Sequence, residues 1–478
     1  MQLRATRLTC IAHAARRAVA PAFTPTLLFA SGEQGAWYDP SDMSTLFQDS
    51  AGTTPVTAVE QPVGRMLDKS GRGNHATQAT AINRPVLSAR VNLLTKTERF
   101  DDAAVWATAS NVTIAANTTE TLDPLGTNTA DKIIEAATTA SHRVLATGIA
   151  QAANTSYALT FRAKKGTRNW CRLFFGSSAL ANATSVEQYF NLDTLAKGTQ
   201  VTAQTAGSTA MAVFTSASIE DIGSGWRLLK IIVTTQNSPT ELQVAFGLAN
   251  ADAVFSYAGN TSEYAYIWGA DLRVANDGVG LPPYQYVNTP TDYDSSPDWP
   301  RYLRFDGIDD GMVTGTITPG TDKVQVFAGV RKLSDVGFAP FLELSAAIFN
   351  GSFNLSAPGG ANSATFGFAS RGSTATAGIA NSPTTFSAPI TAVLCGIGSI
   401  SEDISNLQIN GIASGSGAAD QGTGNYLSYP LYIGRRGGTS NPFNGCLYPL
   451  IVRFGPTLTA EQIAQTETWV NSKTRAYA

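Results

Sequence analysis

The chain has 478 residues, of which 14% are charged and 43 are glycine, and its formal net charge is -3. This length predicts two or three compact units, each large enough to bury a core of its own. Because the chain is slightly acidic, its net charge supplies no general attraction to phosphate backbones, which would need clustered lysine and arginine, and this argues against a nucleic-acid partner.

The first 32 residues contain no acidic residue, but they carry Arg4, Arg7, Arg16 and Arg17. The last two interrupt the apolar stretch that a secretion signal would need, and no apolar run approaches the length of a transmembrane span. We predict that residues 1–34 form an arm that attaches the protein to a larger assembly. A flexible tail is the alternative interpretation.

Most of the chain beyond this arm shows the pattern of β-strands. "YALTFRAK" from Tyr157, "WRLLKIIVTT" from Trp226, "KVQVFAGVRK" from Lys323 and "CLYPLIVRFG" from Cys446 are short runs rich in β-branched and aromatic residues. Clusters of Gly, Asn, Ser and Pro separate them, and strands at such spacing are typical of β-sandwiches. The fold class is therefore predicted to be all-β.

Trp170 lies in "KKGTRNWCR", between two predicted strands, and Lys164, Lys165, Arg168 and Arg172 surround it in the sequence. Exposed aromatic rings that stack on sugar faces, next to polar side chains, are typical of glycan-binding sites. We therefore assign these five residues as candidate glycan-binding residues, with an acidic polysaccharide as the ligand. A hairpin tip with solvated charges is the alternative.

The stretch "RYLRFDGIDDGM" (301–312) places Asp306, Asp309 and Asp310 directly after a strand-like run. Such a turn can supply some of the oxygens that calcium needs, but the spacing lacks the regular ligand pattern of an EF-hand. Asp side chains also hydrogen-bond their own backbone in turns, and Gly307 and Gly311 permit left-handed conformations there. We favour the turn and predict no cofactor, and we keep the three aspartates as the candidate ligands if calcium does bind.

The loop "GRRGGTSNPFNG" (434–445) contains Arg435, Arg436, Asn441 and Asn444 among four glycines. A loop of this composition can contact a ligand or a neighbouring subunit. We add the two arginines and Asn441 to the candidate glycan-binding residues, and a purely structural turn is the alternative.

The chain ends with its best helix pattern, "TLTAEQIAQTETWVNSKTRAYA". Thr459 can cap this helix, and Gln462 three residues later completes a capping box. One face of the predicted helix carries Ile463, Thr466, Glu467 and Val470.

Patterns that would indicate catalysis or a structural metal are not found. The three histidines accompany no GxSxG elbow, and no carboxylate pair of the kind that cleaves glycosidic bonds can be identified. The four cysteines form no CxxC pair, although a bridge between Cys395 and Cys446 stays open. We predict that the protein is not an enzyme, and a polysaccharide depolymerase is the weaker alternative, because no solenoid repeat is present.

Four segments resemble the concanavalin-like, laminin-G-like jelly roll of bacteriophage virion proteins. They are "GAWYDPSDMSTLFQD" (35–49), "MLDKSGRGNHATQATAINRPVL" (66–87), "YLRFDGIDDGM" (302–312) and residues 431–470, which include "FNGCLYPLIV" and the closing helix. In that family these pieces occur in this order. Together they cover a little under a fifth of the chain.

About two hundred residues separate the second segment from the third. They include "VNLLTKTERFDDAAVW" (91–106) and "YAYIWGADLRV" (264–274), which resemble the carbohydrate-binding-module-like jelly roll of phage tail and fibre proteins. The resemblance implies two jelly-roll sandwiches, one formed by 35–90 plus 295–478 and the other by an inserted domain, 91–294. The alternative is a sequential order in which residues 35–90 form a small region of their own.

The resemblance implies a structural component on the exterior of a bacteriophage particle, such as a fibre, spike or appendage subunit. Its expected partners are other virion proteins through the amino-terminal arm, further copies of itself with a trimer as the first choice, and host surface polysaccharide. No nucleic acid and no membrane insertion are expected. A virion scaffold that does not bind glycan is the alternative function.

Overall fold

The computed structural model describes residues 23–106, 111–150, 154–176, 184–204, 212–235, 242–275, 281–296, 298–374 and 376–477. These residues are built almost wholly of antiparallel β-strands, and they contain a single α-helix, α1 (Ala460–Thr474). The predicted all-β class with one short carboxyl-terminal helix is confirmed. No helix of the described residues is long and apolar enough to cross a membrane.

The strands fall into three groups along the chain. The first group is β1 (Gln34–Tyr38), β2 (Leu46–Phe47), β3 (Arg65–Met66), β4 (Ala76–Thr77) and β5 (Val86–Ser88). The second group is β6 (Val112–Ala115), β7 (Asp131–Glu135), β8 (Thr139–Ile149), β9 (Ser156–Lys165), β10 (Trp170–Gly176), β11 (Thr184–Asn191), β12 (Ala196–Gln204), β13 (Ala212–Asp221), β14 (Trp226–Thr235), β15 (Leu242–Ala249), β16 (Ser256–Ala258) and β17 (Tyr264–Val274). The third group is β18 (Val287–Thr289), β19 (Asp292–Tyr293), β20 (Tyr302–Asp306), β21 (Met312–Ile317), β22 (Lys323–Lys332), β23 (Pro340–Leu344), β24 (Ser352–Ser356), β25 (Gly367–Arg371), β26 (Gly378–Asn381), β27 (Ile390–Ser399), β28 (Ile404–Ile409), β29 (Ile412–Gly417), β30 (Tyr429–Ile433), β31 (Arg435–Arg436), β32 (Ser440–Pro442) and β33 (Asn444–Phe454).

Two large sheets combine strands of the first and third groups. Sheet 1 has the order β29-β28-β27-β22-β33-β20-β5, and β1 also pairs with β33. Sheet 2 has the order β2-β3-β4-β21-β30-β23-β24-β25-β26. Apolar side chains from both sheets, such as Leu303, Phe341 and Leu450, form one core. We call these two sheets the outer sandwich.

Strands distant in sequence pair directly in sheet 1. Leu87 of β5 lies opposite Leu303 of β20. Trp37 of β1 lies opposite Ile451 of β33, so β1 and β20 pair with different parts of the same edge of β33. Segments on both sides of residues 91–294 therefore share a sheet. The exact boundaries of the predicted domains stay a prediction.

Strands of the second group form a separate pair of sheets, which we call the central sandwich. Sheet 3 has the order β12-β11-β10-β15-β8-β16, and sheet 4 has the order β13-β14-β9-β17-β7-β6. On β14, the buried side chains of Leu229, Ile231 and Val233 alternate with partly exposed ones and enter the core between these sheets. This period of two is the expected pattern for a strand with one buried face.

Helix α1 covers part of the outer surface of sheet 1. Thr459 and Gln462 form the predicted capping box, and the predicted apolar face is buried, with Ile463 and Val470 packed against Ile451 of β33 and its neighbours. Because α1 covers part of one face of β33 and the sandwich core covers the other, residues 445–454 are all buried, and Arg453 is the one charged residue among them.

The last part of the predicted amino-terminal arm packs against the same surface. Leu28 and Phe29 are buried there, and Arg453 donates a hydrogen bond from its Nε to the Leu28 carbonyl at 2.8 Å and forms an ion pair with Glu33 at 2.9 Å. Residues 1–22 of the arm, with all of its arginines, lie outside the described residues.

The cysteines of the described residues are buried and form no disulfide with one another. Cys395 lies under α1 with Phe327 and Val393, whereas Cys446 lies on another part of sheet 1, with Tyr302 and Tyr448. The bridge between Cys395 and Cys446 that the sequence left open is therefore not formed, because the two thiols belong to different clusters.

Candidate functional site

One face of sheet 3 carries the residues that the sequence singled out most strongly. Along β10, the side chains of Cys171 and Leu173 point into the core of the central sandwich. Successive residues of a strand point to opposite faces, so Trp170, Arg172 and Phe174 lie on the other side of the sheet. We call this side the outer face of sheet 3.

Arg172 lies at the centre of the outer face of sheet 3 and is only 1% exposed. Its neighbour on β15 is Gly247, where an added Cβ would lie 3.2 Å from the Arg172 Nε, so the missing side chain makes room for the arginine. The guanidinium forms an ion pair with Glu187 of β11, and the Tyr189 hydroxyl donates a hydrogen bond to the same carboxylate at 3.2 Å. Such a buried pair is stable only while both charges are present.

Arg143 of β8 lies in the same row, on the far side of Gly247 from Arg172. Its Nε is buried and has no hydrogen-bond acceptor, and its guanidinium has no ion-pair partner among the described residues. Burial, and secondly the positive charge of Arg172, lower the pKa of Arg143. An unsatisfied buried donor costs about 1–3 kcal/mol, so a ligand that supplied an anionic acceptor would be favoured here.

Two aromatic rings lie at the rim of the outer face of sheet 3. Trp170 is partly exposed, and its ring covers the backbone of Gly198 on β12, where an added Cβ would lie 2.7 Å from it. Beside this ring, the Asp252 carboxylate accepts hydrogen bonds from the Thr199 N–H at 2.7 Å and hydroxyl at 2.9 Å. Phe255 is 38% exposed, and the Arg172 guanidinium lies 4.3 Å from its ring centroid.

The other basic residues of the predicted cluster are held by neighbours elsewhere. Lys164 belongs to sheet 4 and donates a hydrogen bond to the Thr121 hydroxyl at 2.9 Å. The Lys165 ammonium lies 3.0 Å from Asp193. Arg168 makes two hydrogen bonds to the buried Glu135 carboxylate, at 2.7 and 3.0 Å. The structure therefore brings Trp170 and Arg172 together on one face but not the remaining three.

Sequence reasoning missed Arg143, Glu187 and Phe255. Nothing in the local sequence relates them to Trp170, because β8 and β11 come near β10 only through the strand order of sheet 3. The one local signal was the alternation of "EQYF", in which Glu187 and Tyr189 share a face. No spacing within the chain relates Arg143 to Arg172, because β15 lies between their strands.

The loop 434–445 is tied to its own sandwich. Arg436 makes two hydrogen bonds to the buried Glu343, at 2.9 and 2.8 Å. Arg435 donates to the carbonyls of Thr439 at 2.7 Å and Asp309 at 3.2 Å. Asn441 has a positive φ of 48° within the β31–β32 hairpin. These contacts fit the structural interpretation of the loop.

The three aspartates lie at the end of β20 and converge there, with their carboxylate oxygens within 4.8 Å of one another. Asp306 Oδ1 accepts hydrogen bonds from the N–H groups of Ile308 at 2.8 Å and Asp309 at 3.2 Å, and Gly307 has a φ of 77°. These are the contacts of an Asp-capped turn. Burial, and secondly the Asp306 charge, raise the pKa of Asp310 to about 7.

No protein-family model matches the sequence, and no curated protein matches it. Among solved structures, the CBM40 domain of the Ruminococcus gnavus IT-sialidase bound to α2,6-sialyllactose is similar to part of this chain. The match covers 31% of this chain and 84% of the CBM40 chain, with 15% sequence identity and a TM-score of 0.25. The match to a heptameric SAP-like pentraxin from Limulus polyphemus covers 34% of this chain and 78% of the pentraxin chain, with 14% sequence identity and a TM-score of 0.28. The match to the NanB sialidase of Streptococcus pneumoniae covers 30% of this chain and 23% of the sialidase chain, with 14% sequence identity and a TM-score of 0.24. Because these sequence identities and TM-scores are low, the function has to be inferred from the side chains of this protein.

Proposed function

We propose that this protein is a non-enzymatic structural component on the exterior of a bacteriophage particle and that it binds an acidic host glycan through the outer face of sheet 3. The observation that carries the glycan proposal is the Arg143 guanidinium, which has a buried donor without an acceptor and lies on the same face as the Trp170 ring. The assignment to a virion rests on the sequence segments that resemble phage jelly rolls.

Each group on this face has a role in the proposed complex. The partly exposed Trp170 ring offers an apolar surface on which one face of a pyranose can stack. A sugar carboxylate accepts hydrogen bonds from Arg143, and a sugar hydroxyl can donate to the Asp252 carboxylate. Arg172 and Glu187 neutralise each other, so Arg143 is the cation of this face that is available to a sugar carboxylate.

Binding by many copies compensates for a weak single site. A shallow sheet face of this kind is expected to bind one glycan with an affinity on the order of millimolar, and several linked sites on one particle raise the overall avidity by about 10²–10⁴. This requires a homo-oligomer, for which a trimer is our first choice, and attachment through the amino-terminal arm, residues 1–34. In the alternative, a scaffold protein, sheet 3 contacts no glycan.

Trp170→Ala is expected to weaken glycan binding about tenfold or more, because it removes the stacking surface without touching the core. Binding of the purified protein to an array of acidic and neutral glycans measures the effect. The mass of the protein in solution shows that it is assembled. Phe349→Ala is the matched control, since Phe349 is 51% exposed on the outer sandwich. If the folded, assembled wild type binds no glycan, the scaffold function replaces the proposed one.

Arg143→Met is expected to separate stability from binding. Removing a guanidinium that lacks an acceptor should raise the free energy of unfolding by about 1 kcal/mol, while binding of acidic glycans falls about tenfold or more. Urea unfolding and the same array measure the two effects, with Arg99→Met as the control because that arginine is exposed. Unchanged affinity for acidic glycans would exclude Arg143 as the anion ligand.

A further inference from the structure

A pocket of about 320 Å³ lies at the end of the outer sandwich where β20 ends and β33 begins. Its lining comes from the turn after β20, the connection between β22 and β23, Pro358, and the loop 434–445 that the sequence singled out. The volume is near the lower limit of the roughly 300–1,000 Å³ that ligand pockets occupy. The pocket therefore suits a ligand of about the size of one sugar ring.

Two carboxamide side chains, those of Asn441 and Asn444, line this pocket. Neither of them makes a hydrogen bond to another side chain or to the backbone of the described residues. Phe443 lies between them in the chain, is 1% exposed, and donates its N–H to the Gly434 carbonyl at 2.9 Å, which anchors this segment. Each carboxamide can donate and accept hydrogen bonds, so the pocket offers a ligand both kinds of partner.

The turn after β20 closes one side of the pocket. An added Cβ on Gly307 would lie 2.6 Å from the Asn444 Cβ, so the missing side chain lets the turn lie directly against Asn444. No charged residue is found among the described residues that line the pocket. Since the same turn carries the carboxylates of Asp306, Asp309 and Asp310, an anion is disfavoured here and an uncharged ligand is favoured.

The opposite side of the pocket is apolar and is held in place by the loop 434–445. The Arg436 guanidinium lies 5.0 Å from the centroid of the Phe338 ring, and the hydrogen bonds of Arg436 to the buried Glu343 fix that guanidinium. Phe338 is partly exposed, so the rest of its ring is open to a ligand. Val336, 78% exposed, adds aliphatic surface beside it.

We infer that this pocket binds the acetamido group of an N-acetylhexosamine. An acetamido group is uncharged, donates one hydrogen bond, accepts others and ends in a methyl group. Its N–H and C=O pair with the carboxamides of Asn441 and Asn444, and its methyl group packs against Val336 and Phe338. The inference does not depend on the proposed function, because no residue of the outer face of sheet 3 lines this pocket.

Saturation-transfer NMR of the full chain with N-acetylglucosamine, and separately with N-acetylgalactosamine, tests the inference. We expect at least one of these sugars to bind, with the strongest transfer at the acetyl methyl protons. Glucose and galactose carry a hydroxyl in place of the acetamido group. They should bind at least about tenfold more weakly, because they leave the two carboxamides without their partners.

Asn441→Gly is expected to weaken N-acetylhexosamine binding about fivefold or more. Asn441 has a φ of 48°, which glycine adopts without strain, so this variant removes the carboxamide and keeps the hairpin. Val336→Ser is expected to weaken binding about threefold or more, through the loss of apolar contact. Asn117→Gly is the matched control, since Asn117 is an exposed asparagine of the central sandwich with a φ of 51°.

Absence of binding by both N-acetylhexosamines overturns the inference, and so does equal affinity for glucose and N-acetylglucosamine. Unchanged affinity of either Asn441→Gly or Val336→Ser also overturns it, because the acetamido group would then lie elsewhere. The probe sugars are uncharged and the proposed function concerns acidic glycans bound by Arg143, so failure of one proposal can be distinguished from failure of the other.

Discussion

Glu187→Gln is expected to lower the free energy of unfolding by about 3–5 kcal/mol, which is the usual effect of removing one partner of a buried ion pair. The substitution leaves the Arg172 guanidinium, 1% exposed, without its carboxylate. Arg143 lies one strand further along the same row, on the far side of Gly247, so the remaining positive charges also repel each other. Urea unfolding at constant pH measures the loss.

Two further variants separate this effect from a general loss of charge. Asp221→Asn breaks the Asp221–Arg227 pair, in which the aspartate side chain is 53% exposed, and should change stability by no more than about 1 kcal/mol. Replacing both buried partners, Arg172→Met with Glu187→Leu, should recover most of the lost stability, since no unpaired charge remains. A Glu187→Gln protein as stable as the wild type would mean that the pair is not buried in solution.

Glu467→Gln is expected to make the protein more stable at alkaline pH but not at acidic pH. Glu467 lies on the buried face of α1, is 3% exposed, and its Oε1 has no hydrogen-bond partner. Burial raises its pKa from 4.5 to about 7, against the opposing effect of the Gly411 N–H. The Cys395 thiol and the Tyr477 phenol face it, and its charge raises the pKa of both of these groups after burial, which is the larger cause.

The direction follows from proton binding. The pKa of Glu467 is higher in the folded state than in the unfolded state, so the folded state holds more protons between pH 4.5 and about 7. The free energy of unfolding therefore falls as pH rises through this range, by about 3 kcal/mol in total, and stays low above it. Glutamine keeps the shape of the protonated acid and avoids this loss.

Urea unfolding of both proteins from pH 4 to pH 8.5 measures the difference. The two proteins should be equally stable near pH 4, and the variant should be more stable by the full amount at pH 8. Asp131 and Asp310 also have pKa values raised by burial, to about 6 and about 7, so the comparison uses the difference between variant and wild type. Parallel stability profiles would contradict a protonated Glu467 in the folded state.

Local features of the fold were predictable from the sequence because they depend on neighbouring residues. The Thr459 capping box and the buried face of α1 need only the spacing of the helix. Strands such as β9, β14, β22 and β33 were recognised by their β-branched and aromatic residues. Trp170 was singled out by the basic residues around it, and it is partly exposed in the structure.

The ion-pair partners of the charged residues near Trp170 could not be predicted from the sequence. In the sequence, Lys165 and Arg168 look available for an anionic ligand, but in the structure Asp193 and Glu135 pair with them. These acids are distant in sequence, and nothing local specifies the pairing. The same applies to the Cys395 and Cys446 thiols, which sequence spacing left open to bridging and which lie in different clusters of sheet 1.

The sequence by itself determined the all-β class and the closing helix, since each depends on side-chain period and local propensity. Only the tertiary structure decided which strands are neighbours. It placed Arg143 one strand beyond Gly247 from Arg172 on sheet 3, and Glu187 within reach of Arg172. Strand order and register arise from the packing of whole sheets, and these long-range contacts determine which charges become partners and which are left without one.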